Sequence, residues 1–252
     1  MGQLYYNFED TTAGSQPADT TLKRSGSAGH YTKQVDGAKD VLRYLATSGG
    51  IAARGLAYDN AVCSGQTEML TQVRDADLSN PASGRLVLFA SDGPDNEYGA
   101  YLDENLNRLQ LYRRVNGGFA GITNTGIIIS SLIYYNIRLQ VTPGSPNQLK
   151  AKVWAEGDTE PAWQIETTDS NLSLSSGWAG HVGFAVDDNV YYNFTAFGWD
   201  GDPAPTGPVD VSAEPFLLRH NPRTNKVIPV LSSPTVTDIG ANCVRPRVSK
   251  GF

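Results

Sequence analysis

Three carboxylates at alternating positions, in Glu156-Gly157-Asp158-Thr159-Glu160, are the strongest candidates for bond-breaking chemistry in this sequence. On an extended strand a period of two sets all three on one face. One carboxylate can then attack a glycosidic carbon while a second, kept protonated, donates to the leaving oxygen. The surrounding residues point elsewhere. Gly157 and Pro161 stand between an alternating run that ends at Ala155 and another that starts near Trp163, which reads as a hairpin loop splaying the carboxylates into water.

Other chemistries find less support. The histidines His30, His181 and His220 share no neighbourhood with an activated serine or cysteine, and neither a Gly-x-Ser-x-Gly elbow nor a phosphate-binding glycine loop is present. His181 is expected on a strand, partly buried and neutral. Asp92, Asp95 and Asn96, and likewise Asp187, Asp188 and Asn189, supply oxygen ligands of the kind calcium takes, but turn formation accounts for both clusters without a metal. Calcium is therefore the one cofactor the sequence admits, and none is required.

A binding chemistry is easier to build. Sugar recognition needs an aromatic platform ringed by polar groups on a sheet face or loop rim. Alternation along the central strands offers Gln110 and Tyr112, Asn136 and Arg138, and Lys152 and Trp154 as polar-face residues expected to align on one side. Tyr112, Asn136, Arg138 and Trp154 are the candidate ligand-binding set. The competing readings are that these residues lie under a C-terminal arm or a neighbouring subunit, or that a slip of one residue makes Trp154 core. Trp163, Trp178 and Trp199 lie near strand ends and are expected to pack.

The elements that must position these groups are strands. The 26 glycines, 14 prolines and 12 tyrosines, against 2 methionines, describe short strands joined by tight turns. Ile137-Arg138-Leu139-Gln140-Val141 and Leu149-Lys150-Ala151-Lys152-Val153-Trp154-Ala155 alternate apolar with polar across a Pro143-Gly144-Ser145-Pro146-Asn147 turn, predicting an antiparallel hairpin. Residues 85–90, 98–102 and 108–113 read as a meander, and 4–8, 41–45, 54–58 and 67–73 as four further strands. Residues 181–185 and 191–197 flank Asp187-Asp188-Asn189 as another hairpin. A single helical turn at 75–78 is the most helix the pattern allows. About a dozen locally connected strands fit two stacked antiparallel sheets, so the predicted class is all-β.

Length permits one sandwich with appendages. Gly201-Asp202-Pro203-Ala204-Pro205-Thr206-Gly207-Pro208 cannot sit inside a sheet, which divides the chain into a sandwich at 1–200, a linker at 201–215 and a C-terminal arm at 216–252. The arm carries Arg219, Arg223, Lys226, Arg245, Arg247 and Lys250 against Asp238 alone, a net +5 that leaves −11 on the remainder. Its strand-like pieces, 226–231 and 243–248, are too small for a core and call for a partner surface. The overall charge of −6 argues against a general nucleic-acid binder, and no apolar stretch reaches membrane-spanning length. Cys63 and Cys243, far apart, read as free thiols. The opening Met1-Gly2-Gln3-Leu4-Tyr5-Tyr6 lacks a signal-peptide pattern, giving the expectation of a soluble protein made in a cytoplasm.

The order of Leu4-Tyr5-Tyr6-Asn7-Phe8-Glu9-Asp10, then Tyr135-Asn136-Ile137-Arg138-Leu139-Gln140-Val141 with Lys150-Ala151-Lys152-Val153-Trp154, then Gly180-His181-Val182-Gly183-Phe184-Ala185 leading to Tyr191-Tyr192-Asn193-Phe194, resembles the concanavalin-A-like and laminin-G-like jelly rolls over residues 1–200. The resemblance implies a fold that often binds sugars and is elsewhere purely structural. Jelly-roll glycoside hydrolases carry Glu-x-Asp-x-Glu on a strand, the spacing found at Glu156, Asp158 and Glu160. The run Arg219-His220-Asn221-Pro222-Arg223-Thr224-Asn225-Lys226-Val227-Ile228-Pro229-Val230-Leu231 through Thr235-Val236-Thr237-Asp238-Ile239-Gly240 looks like terminal segments of tailed-bacteriophage virion proteins. Together these imply a non-enzymatic tail-fibre or tail-tip component, assembled in the host cytoplasm as a homo-oligomer with other virion proteins. Its sandwich would recognise a host-surface glycan, with no nucleic-acid partner and no membrane insertion. The alternatives are a free-standing carbohydrate-binding module, a capsid decoration protein and a jelly-roll glycosidase.

Overall fold

The structure is a computed structural model that describes residues 2–23, 29–46, 54–75, 83–91, 95–130, 133–183, 189–205, 218–221 and 226–229. The described residues contain strands, turns and bends and no helix. In chain order the strands are β1 (Gly2–Tyr6), β2 (Thr20–Lys23), β3 (Gly29–Asp36), β4 (Lys39–Ala46), β5 (Arg54–Tyr58), β6 (Thr67–Asp75), β7 (Ser83–Ala90), β8 (Glu97–Asp103), β9 (Arg108–Val115) and β10 (Gly118–Gly126). They continue with β11 (Tyr135–Thr142), β12 (Asn147–Ala155), β13 (Ile165–Asp169), β14 (Trp178–Gly183), β15 (Asn189–Trp199), β16 (Leu218–Asn221) and β17 (Lys226–Pro229).

The chain divides into two bodies, Met1–Pro208 and Val209–Phe252. The first is a sandwich of two antiparallel sheets. One has eight strands in the order β13-β12-β11-β6-β15-β4-β3, with β1 added to β15; the other has seven, β10-β9-β8-β7-β14-β5-β2. This is the stack of two antiparallel sheets that the alternating patterns predict, and the jelly-roll sandwich that the resemblance implies. The expected β11–β12 hairpin forms, with Ile137 opposite Val153 and Leu139 opposite Ala151. Strands β7, β8 and β9 form the expected meander, β7 pairing with β8 and β8 with β9.

Alternation explains the core. Ile137, Leu139 and Val141 on β11, Leu149, Ala151 and Val153 on β12, and Met69 and Val73 on β6 point inward from one sheet. Leu86, Leu88, Tyr98, Ala100, Leu102, Leu109 and Leu111 meet them from the other. Burying a side chain of this size contributes roughly 1.5–3 kcal/mol, so period two alone supplies the driving force for stacking the sheets. Turn chemistry agrees: Asn116 and Gly117, both at positive φ (50° and 81°), make the two-residue turn between β9 and β10.

Polar side chains also meet in the interior around Thr195. Thr195 on β15 meets His181 Nε2 at 2.9 Å, Thr71 Oγ1 at 3.1 Å and Tyr58 Oη at 3.3 Å, all buried. His181 stacks on Tyr192 at 3.8 Å between ring centroids and meets the edge of Tyr58. Burial drives its pKa down to about 3, so the imidazole is neutral, as the sequence led us to expect, but wholly rather than partly buried.

Two expectations are corrected. β14 and β15 are not a hairpin: β14 lies between β5 and β7 in one sheet, while β15 pairs with β6, β4 and β1 in the other. A turn-rich interval between two alternating runs serves a crossover between sheets as well as a hairpin, and the pattern does not distinguish them. Asp75, expected to open a helical turn, is the last residue of β6, and 76–78 lie outside the described residues.

The second body is seen as one antiparallel pair, β16 with β17, Leu218 opposite Pro229 and Asn221 opposite Lys226. Arg219 and Lys226 of the expected basic arm lie on these strands. Arg223, Arg245, Arg247 and the expected strand at 243–248 lie outside the described residues.

Candidate functional site

The outer face of the eight-stranded sheet is built from the residues that alternate with the core. On β6, β11 and β12 the register sets Gln72 opposite Asn136 and Asn136 opposite Trp154. Next to them β15 carries a bulge: Tyr192 faces Val73 and Phe194 faces Gln72, so Asn193 is the extra residue. A bulge re-aims a side chain. Here Asn193 Nδ2 donates to Gln72 Oε1 at 2.7 Å, and Gln72 Nε2 donates to Asn136 Oδ1 at 3.2 Å. Three primary amides therefore form a ladder across three strands, with the half-buried indole of Trp154 at its end.

Above this row lies a band of aromatics and paired charges. Tyr134 Oη donates to Asp36 Oδ2 at 2.6 Å, and Arg74 Nη2 bonds the same oxygen at 2.6 Å. Burial opposes ionisation of Asp36, but the Tyr134 hydroxyl and the Arg74 guanidinium outweigh it and hold the carboxyl below its usual range. The Arg74 guanidinium lies 4.9 Å from the Tyr191 ring centre, with Arg43 5.7 Å from the same ring. Lys39 Nζ joins the two rows, 3.4 Å from Gln72 Oε1 and 2.6 Å from Glu156 Oε1.

Below the ladder the face is closed by its own chain. Arg138 pairs with buried Glu68, and donates from Nη1 to the Ala204 carbonyl at 3.0 Å. The Ala204 N–H donates to Glu68 Oε1 at 3.0 Å, and Gln140 Nε2 to Glu68 Oε2 at 2.9 Å. Glu160 adds ion pairs of 2.8 Å to both Arg138 and Lys152. Leu70, Phe194, Ala196 and Ala204 form an apolar cluster here, against which Tyr5 and Trp154 pack.

The structure thus brings together two of the four expected ligand residues, Asn136 and Trp154, on one row, in which Gln72 and Asn136 are buried and Asn193 and Trp154 half-buried. Arg138 is beside them but held by Glu68, Glu160 and Ala204. Tyr112, expected on the same side, is not there: β9 belongs to the seven-stranded sheet. Tyr112 is fully buried on that sheet's outer face, its hydroxyl donating to Glu97 Oε1 at 2.8 Å and its ring 4.9 Å from that of Phe119. Alternation fixes the face of a residue within its strand but not the sheet the strand joins, and Gln110 is displaced with Tyr112 for the same reason.

Gln72, Asn193 and Lys39 were absent from the sequence-derived set. Gln72 was legible as the polar position of the 67–73 run; Asn193 was not, because only the bulge gives it this orientation.

The acidic motif is a turn, as expected. Gly157 sits at φ 89° and the Asp158 N–H donates to the Ala155 carbonyl at 3.1 Å. Its carboxylates are not all splayed into water, however: Glu156 pairs with Lys39, and Glu160 folds back on Arg138 and Lys152. Arg138 and Lys152 project from the sheet just below the turn, and their attraction outweighs free solvation of one acid. Of the turn clusters, Asp95, Asn96 and Asn189 are engaged in local bonds: the Asp95 carbonyl accepts from Gly117, Asn96 Oδ1 from the Asn116 N–H and Asn189 Oδ1 from Arg43. Asp92, Asp187 and Asp188 lie outside the described residues, among which no three acidic, histidine or cysteine side chains gather into a metal site. Trp178 and Trp199 pack as expected, covering Gly55 and Gly2.

No family model matches the chain, and no curated protein resembles it in sequence. Solved structures do resemble it in fold. The carbohydrate-binding module CBM66 from Bacillus subtilis is 15% identical with a TM-score of 0.51, covering 69% of this chain and 92% of its own. The exoplasmic/lumenal domain of VIP36 in its calcium- and Man2-bound form is 10% identical with a TM-score of 0.51, covering 84% and 92%. A glycosyl hydrolase family protein from Mycobacterium fortuitum is 12% identical with a TM-score of 0.50, covering 77% and 98%. The fold is that of the concanavalin-A-like jelly-roll sandwiches.

Proposed function

We propose that the chain is a non-catalytic glycan-binding sandwich whose ligand lies along the Asn193-Gln72-Asn136-Trp154 row. The observation that carries this reading is the amide ladder ending on a half-buried indole. Amides offer donors and acceptors together, and an indole offers a flat apolar face for a sugar ring. Most cations around the row are matched by acids on the same face, Lys39 by Glu156, Arg74 by Asp36, Arg138 by Glu68 and Lys152 by Glu160, while Arg43 bonds Asn189, so the ligand in this reading is an uncharged glycan. Carbohydrate-binding and mannose-bound sandwiches among the similar folds support the reading without fixing the ligand.

The test is a glycan array followed by calorimetry on the full chain. Neutral oligosaccharides bind; Trp154→Ala weakens them at least tenfold, about 1.4 kcal/mol, and Phe119→Ala on the opposite sheet does not. Preferential binding of anionic glycans, or equal loss in both variants, refutes it. Glu156→Gln with Glu160→Gln leaves binding in place and separates this reading from a glycosidase, for which the double variant abolishes hydrolysis.

The adsorption role in a virion is a further proposal, supported by the phage-like sequence of 219–240 and the basic excess of 216–252. In it, residues 209–252 fasten the sandwich to neighbouring virion proteins by strand addition. Co-sedimentation of the full chain, but not of residues 1–208, with assembled particles is the outcome that supports it.

A further inference from the structure

Among the described residues the two sheets of the sandwich end on β3, β13, β2 and β10, and β1, paired only with β15, adds a short fifth edge of five residues that has no charge either. Three of them carry charges that discourage another strand from pairing: Lys33 and Asp36 on β3, Glu166 and Asp169 on β13, Lys23 on β2. β10 carries none. Its sequence, Gly118-Phe119-Ala120-Gly121-Ile122-Thr123-Asn124-Thr125-Gly126, has neither charge nor proline, and it lies inside a run from Val115 to Ile137 that contains no Asp, Glu, Lys, Arg or His. In a chain with 18% charged residues, so long a neutral run coinciding with an outer strand is a departure from how sheet edges are protected.

The edge is open. Among the described residues β10 pairs only with β9, and Gly118, Phe119, Gly121, Asn124 and Gly126 are exposed. Phe119 is 43% exposed near its start and Ile128 87% exposed just past its end, apolar groups that water does not favour. The two-residue turn at Asn116-Gly117 fixes which backbone groups are free. Gly118 and Val115 form the hydrogen-bonded pair that closes the turn, so the N–H and C=O of Phe119, and again of Gly121, point away from β9.

We infer that β10 is an interface for a second copy of this chain, the two β10 strands pairing antiparallel across a two-fold axis to join two seven-stranded sheets. Self-pairing sets each residue of the edge against residues of the same edge, so any charge would meet its like; a neutral edge is compatible with itself. β10, nine residues long against the five of β1, is the longer of the two uncharged edges, and its pairing with the β10 of a second copy is isologous and closes at two. The bulge between Gly121 and Thr123 limits the pairing to short segments on either side of it.

The experiment is sedimentation of the full chain over a concentration series, with three single substitutions. Asn124→Lys and Gly126→Lys place a charge on the edge; Asn124 is exposed and a Cβ at Gly126 meets nothing within 4 Å, so both variants fold. Val35→Lys, on the 65% exposed position of β3, is the control. The expected result is a wild-type dimer, association weakened at least tenfold by each β10 variant, and no change in the control. A monomeric wild type overturns the inference, as does a dimer that both β10 variants retain or that the control loses equally.

Discussion

Lowering the pH from 7 to 4.5 should destabilise the sandwich through His181, by an amount the structure fixes. The imidazole is enclosed between the sheets, its Nε2 bonded to Thr195 and its ring against Tyr192, and burial lowers its pKa from 6.5 to about 3. In the unfolded chain the same group takes up a proton below 6.5. Between the two values the unfolded state therefore binds more protons, and stability falls as the pH falls. At pH 4.5 the unfolded histidine is almost fully charged and the folded one almost fully neutral, two pH units below the unfolded value, a loss of about 2–3 kcal/mol. Asp36 and Asp169, both held below their usual range, add losses of the same sign lower on the scale. The His181 share is isolated by comparing urea unfolding of the wild type and His181→Gln at pH 7 and 4.5. The variant is less stable at pH 7 but loses about 2–3 kcal/mol less on acidification. An identical pH dependence in both proteins would refute the argument.

Two further outcomes follow from the packing. Arg138→Ala leaves Glu68 buried beneath Ala204 without its cation and costs about 3–5 kcal/mol in urea unfolding, against less than about 1 kcal/mol if the pair behaves like a surface one. Gly183→Ala drives a methyl group into the fully buried ring of Tyr44, which cannot swing into solvent, and lowers stability by about 2–3 kcal/mol; a change below about 0.5 kcal/mol contradicts that packing.

What could be read from the sequence was what period two encodes. It located β5 to the residue, paired β11 with β12 as a hairpin, and sent Asn136, Arg138 and Trp154 to one face with Ile137, Leu139 and Val153 on the other. The pattern carries no term for which sheet receives a strand, so Tyr112 was grouped with residues from the opposite sheet and β14 was joined to β15 as a hairpin. β10 was invisible for a related reason: Gly118-Phe119-Ala120-Gly121 lacks alternation and has two glycines, and it is a strand because the Asn116-Gly117 turn returns it along β9. The ladder needed Asn193, whose orientation depends on a bulge. The closure over Arg138 depended on Ala204, in a proline-rich stretch that reads as linker and is seated on Glu68 and Arg138.

The central claim, that the amide row and Trp154 form a sugar-binding face, is tested most directly by side-chain NMR. The full chain, labelled with 15N, is titrated with the neutral oligosaccharide that binds best on the array. The account predicts that the side-chain amides of Gln72, Asn136 and Asn193 and the indole N–H of Trp154 shift together and saturably. Shifts confined to the Tyr112 and Phe119 face, or none with any neutral glycan, contradict it.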